Sequence, residues 1–75
     1  MKTFLDRIKP GTWAVVTKID VKNALSRRLY DFGFIPGTRV CCRYRGPNGR
    51  VTALQVRGTV IALRTQDLRC IEVEL

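Results

Sequence analysis

Turn-forming residues interrupt this chain at close intervals. Lys9-Pro10-Gly11-Thr12, Gly33 with Pro36-Gly37, Gly46-Pro47-Asn48-Gly49 and Gly58 all stop regular structure. The elements between them must be short, so the core has to be assembled from several of them. Trp13–Ile19 is rich in β-branched and aromatic residues and reads as a strand; Arg39–Arg45, Val51–Arg57 and Thr59–Arg64 read as strands between the turns, with Cys70–Leu75 as a short last one. Thr3 followed by Asp6 predicts a capped helical turn over Phe4–Ile8, Asp20–Lys22 reads as a connection, and Thr65 caps a second helical turn over Thr65–Arg69.

One segment has helical periodicity. Asn23 suits an N-cap for a helix over Ala24–Phe32, and Leu25, Leu29 and Phe32 recur at i, i+4 and i+7 on one face. Gly33 is the residue type that ends helices in the left-handed conformation, which lets Phe34 fold back on Leu29. Pro36-Gly37 prevents continuation. A 100° step per residue leaves Arg27 and Tyr30 pointing outward and Arg28 at the edge of the apolar stripe.

Strand alternation assigns the remaining faces. Val40, Cys42 and Tyr44 point inward, with Arg39, Cys41, Arg43 and Arg45 outside. Leu54, Val56, Ile61, Leu63, Ile71 and Val73 complete the core, while Gln55, Arg57 and Trp13 with Val15 face solvent. The fold class is mainly β with one short helix: a single domain over residues 1–75, a small barrel of about five strands whose closure hides strand edges, with the helix plugging one opening.

The side chains narrow the function. There is no histidine, no Cys-x-x-Cys pair and no nucleophile beside a base, so neither a catalytic nor a metal site is predicted, and no deep substrate cavity fits 75 residues. Any binding of Fe(II) or Zn(II) by the isolated chain is expected to be weak. Cys42 reads as core and Cys41 as an exposed thiol. Three cysteines, an odd number, argue against a disulfide framework and for a reducing compartment. With no signal-peptide pattern and no membrane-length apolar run, the expected location is the cytoplasm. Glu72 and Glu74 are expected to pair with arginines. The net charge of +8 draws anionic partners and implies weak, non-specific anion binding at low salt. The arginine stripe Arg39, Arg43, Arg45 and Arg57 keeps a nucleic-acid partner open, although alternation turns Tyr44 away from it. Exposed aromatics beside exposed arginines, Tyr30 with Arg27 and Trp13, fit a protein-binding patch as well as they fit ordinary surface.

The run Ala24-Leu25-Ser26-Arg27-Arg28-Leu29-Tyr30-Asp31-Phe32-Gly33-Phe34-Ile35-Pro36-Gly37-Thr38 resembles the FeoA family signature, an arginine-rich amphipathic helix leading into a Leu-Gly-Phe/Met-x-Pro-Gly exit, with Phe32 where Leu is usual. Leu5, Lys9-Pro10-Gly11, Arg57-Gly58, Ala62-Leu63-Arg64 and Ile71-Glu72-Val73 fit as well. One departure is the loop after the second predicted strand, where Pro47-Asn48-Gly49-Arg50-Val51 replaces the Pro-Leu-Gly-Asp-Pro common in the family. The resemblance implies an SH3-like barrel in the bacterial cytoplasm. It also implies an accessory role in ferrous-iron uptake, through the cytosolic GTP-binding part of the membrane transporter FeoB, with no small-molecule substrate. A similar domain ends some metal-dependent transcriptional repressors, which leaves that role as the alternative.

Overall fold

The computed structural model describes residues 1–20 and 24–75; the expected cap Asn23 and most of the Asp20–Lys22 connection lie outside them. In chain order the elements are β1 (Lys2–Phe4), β2 (Trp13–Ile19), α1 (Ala24–Asp31), β3 (Arg39–Arg45), β4 (Val51–Val56), β5 (Thr59–Arg64) and β6 (Ile71–Glu74). Segments of 3-10 helix occupy Leu5–Arg7, Pro47–Gly49 and Thr65–Cys70.

The strands form one antiparallel sheet in the order β1-β6-β2-β3-β4-β5. The strand missing from the sequence reading is β1, whose three residues are too few to show a period. It is held by β6 through Lys2↔Glu74, Thr3↔Val73 and Phe4↔Glu72. Thr3 therefore belongs to a strand, and the following 3-10 turn has no side-chain cap. Among the described residues no ladder joins the edges β1 and β5 into a closed barrel. Instead Leu5–Arg7 packs on Thr65–Cys70, which also touches both β1 and β5. Leu5 and Leu68 of these two segments are fully buried, so leucine packing occupies the space by the two edges.

The core joins Val16, Val40, Cys42, Leu54, Val56, Ile71 and Val73 of the sheet to Leu29 and Phe34. Ile61 and Leu63, on edge strand β5, are only partly buried against it.

Several faces differ from the expected ones. The helix stops at Asp31, and Phe32 is exposed where the periodicity placed it in the core. The Gly33 N–H donates to the Tyr30 carbonyl (3.0 Å) and the Phe34 N–H to the Leu29 carbonyl (3.2 Å). This pair of bonds is a Schellman ending with Gly33 at φ +108°. It swings Phe34 back onto Leu29, and Phe34 fills the space that Phe32 was expected to fill. Burying that one ring contributes about 2–3 kcal/mol.

Tyr44 is exposed because the β3–β4 register slips between Cys42 and Tyr44. Arg43 is the extra residue of a bulge, so Arg43 and Tyr44 both face outward and the alternation resumes one step late. Arg45 then turns inward, where its Nε donates to Thr52 Oγ1 (3.0 Å). Thr65 is not a cap either; its hydroxyl is 2.7 Å from that of buried Thr52. Arg57 belongs to the hairpin turn and not to β4. Arg57 and Gly58 have φ of +52° and +78° between the paired residues Val56 and Thr59. Glu72 and Glu74 do not pair with arginines: the Thr17 hydroxyl donates to Glu72 Oε2 (2.8 Å), and the N-terminal ammonium pairs with Glu74.

Candidate functional site

Two surfaces carry the residues singled out by the sequence. The first is the outer face of α1. Leu29 and Ser26 are buried and Leu25 packs against the core, which fixes the rotation of the helix. Arg27, Arg28 and Tyr30 are consequently exposed, as expected from the helical step. Arg28, expected at the edge of the stripe, is also in solvent. Phe32 joins them at the helix exit, a contribution the periodicity had assigned to the core. The exit itself is anchored to the sheet. Gly37, at φ +93°, donates its N–H to the Val16 carbonyl (2.8 Å), and the Val16 N–H donates to the Thr38 carbonyl (2.9 Å). Gly33, Pro36 and Gly37 thus hold the helix at a fixed angle to β2.

The second surface is the outer face of β2–β5. Trp13, Cys41, Gln55 and Val60 lie side by side across the four strands. The Arg39 guanidinium sits 4.7 Å from the centre of the Trp13 ring, a cation–π contact. Farther along β3, Arg43 and Tyr44 extend the same face. Trp13 leaves β2 on the side opposite Ala14 and Val16, which share the core with Leu29. It is therefore on a different surface from Arg27 and Tyr30, and the three do not make one patch.

Of the six aromatic side chains, only Phe34 is buried. Trp13 is 43% exposed, Tyr30 45%, Phe32 41%, Tyr44 58% and Phe4 43%. A small domain short of core volume that leaves most of its aromatic rings in water has the composition of a contact surface.

Cys41 is buried, not exposed: it is a small side chain in a central strand, flanked by the larger Trp13 and Gln55. Cys42 is in the core, as expected. Burial pushes the Cys42 thiol up despite the nearby Arg45 charge, and burial likewise raises Cys70 against a hydrogen bond from Ser26. Such thiols are poor nucleophiles and poor metal ligands. Among the described residues no group of three or more His, Cys, Asp or Glu side chains could hold a metal ion. No helix among them is long and apolar enough to cross a membrane.

The FeoA domain family model matches residues 3–75. No curated protein sequence matches the chain. Among solved structures, a FeoA-like protein from Clostridium acetobutylicum superposes with a TM-score of 0.91 at 26% identity, covering 99% of this chain and 86% of that one. FeoA of Stenotrophomonas maltophilia, crystallised with zinc, has a TM-score of 0.86 at 30% identity, covering 96% and 89%. It is a prokaryotic SH3-domain protein suggested to act as a ferrous-iron transport activating factor. A manganese-dependent transcriptional repressor shares the fold, with a TM-score of 0.86 at 15% identity over 97% of this chain and 41% of its own.

Proposed function

Because this chain belongs to the FeoA family, we propose that it is a cytoplasmic accessory protein of bacterial ferrous-iron uptake that binds the cytosolic part of the FeoB transporter. It acts by contact and not by chemistry. The observation that supports this reading is the distribution of aromatic rings, nearly all at the surface and two of them on elements that also expose arginines. On α1, Arg27 and Tyr30 are the proposed anchors, with Arg28 beside them and Phe32 added by the helix exit. Tyr and Arg bring large contact area and forked hydrogen bonding at modest entropic cost. Trp13 with Arg39 is a second anchor on the opposite side.

A nucleic-acid partner is the second reading, favoured by the bulge at Arg43. It places Tyr44 among exposed arginines on the face that also carries Trp13 and Arg39, the mix of rings and charges on which single-stranded bases stack. Titrating the chain with the soluble cytosolic domain of FeoB and with a single-stranded oligonucleotide at physiological salt separates the two. The proposed function predicts saturable binding to the protein domain and only weak, salt-sensitive binding to the oligonucleotide. The reverse result would establish the second reading.

A further inference from the structure

A groove of about 490 Å³ lies at the end of the sheet away from the helix exit, walled by Arg50, Arg64, Thr65, Gln66 and Arg69, with Asp6 at its side. Its arginines come from three elements held in fixed relation. Arg64 ends β5 beside Val51 of β4, and the Thr65 N–H donates to the Arg50 carbonyl (2.8 Å). Gln66 and Arg69 stand three residues apart on the 3-10 segment, so their side chains rise from one side. Behind this wall runs the hydroxyl chain Arg45 to Thr52 to Thr65.

None of Arg50, Arg64 and Arg69 forms an ion pair with a described acid. Three arginines line this one groove, and their like charges repel unless an anion lies between them. Asp6 Oδ1, an acceptor, is buried without a hydrogen-bond partner. Forked guanidinium donors and a carboxylate lining the same groove call for different groups on one ligand, an anion and a donor.

We propose that this groove binds a small molecule carrying a phosphate group and, a few atoms away, a hydroxyl or amine. The phosphate is held by Arg64 and Arg69 with Arg50 alongside, and the donor meets the Asp6 carboxylate at the groove's side. The groove is separate from the α1 surface, so the site stands whether or not α1 docks on a transporter.

Calorimetric titration with ribose 5-phosphate, inorganic phosphate and ribose tests it. Ribose 5-phosphate is expected to saturate one site and to bind more tightly than inorganic phosphate, with ribose inert. Arg64→Gln and Arg69→Gln should each weaken it about tenfold, the loss of one charge-assisted contact. Arg57→Gln, the same charge change at the far end of the β4–β5 hairpin, should leave it unaltered, and Asp6→Asn should reduce the preference over inorganic phosphate. Both groove arginines are exposed, so the fold survives their substitution. Absence of saturable binding at millimolar ligand overturns the proposal, as does an equal loss in Arg57→Gln. So does Arg64-dependent binding seen only with oligothymidylate or with phosphatidylglycerol vesicles, which would make the groove a polymer or lipid contact.

Discussion

The side chain of Arg57 lies against the α-carbon of Gly33. A Cβ built on Gly33 would stand 3.0 Å from Arg57 Cδ and 3.2 Å from its Nε. The contact ties the β4–β5 hairpin to the helix exit. Gly33→Ala meets two obstacles, the left-handed φ and the Arg57 stem, and should cost about 1–2 kcal/mol. In an Arg57→Ala background the steric part disappears and the backbone part remains, so the same substitution should cost less. Thermal unfolding of the four proteins measures this; an equal cost in both backgrounds would show that the contact carries no energy.

Phe34 and Phe32 exchange the roles that periodicity gives them. Phe34→Ala empties a fully buried site and should cost about 3–5 kcal/mol. Phe32→Ala removes an exposed ring and should stay within about 0.5 kcal/mol. Urea midpoints of the two variants decide between this arrangement and the reverse.

The thiols set an alkaline limit. Cys42 and Cys70 have raised values in the fold, whereas unfolded thiols ionise near 8.5. Stabilisation is therefore complete below about pH 8.5 and is lost as pH rises above it toward the folded values. Denaturation midpoints should fall across that range, and less steeply in Cys42→Ala. In the native protein, modification of Cys41 and Cys42 by a thiol reagent should require unfolding. Rapid labelling of either at neutral pH would contradict their burial.

Metal affinity follows from the same burial. Titration of the reduced protein with Fe(II) or Zn(II) should give dissociation constants weaker than about micromolar, roughly 8 kcal/mol of binding. A tighter stoichiometric site would require ligands drawn from two copies of the chain.

What the sequence revealed was local. Gly33, Pro36 and Gly37 announced the helix exit because each needs a backbone geometry that few residues tolerate, and β2 and β5, with their β-branched residues, matched their predicted bounds, as did β3 between its flanking turns. The misplaced faces came from events that residue types do not encode. The bulge at Arg43 is decided by pairing with β4, and it reversed Tyr44 and Arg45 together. Burial of Cys41 depends on its cross-strand neighbours Trp13 and Gln55. The three-residue β1 exists only because β6 is there to receive it. The exposed helix residues Arg27, Arg28 and Tyr30 were legible because a helix rotates every residue by a fixed angle, whereas the Trp13–Arg39 contact depends on the β2–β3 register.

The proposed docking of the outer face of α1 on the transporter is open to a direct test. The direct measurement is the affinity of the wild type, Arg27→Glu and Tyr30→Ala for the soluble cytosolic domain of FeoB, with circular dichroism confirming that each variant is folded. Tyr30→Ala should weaken binding by about 1–2 kcal/mol. Arg27→Glu should slow association, most at low salt, by reversing a favourable charge contact. Folded variants that bind as tightly and as fast as the wild type would rule out docking through α1 and move the contact to another face of the molecule.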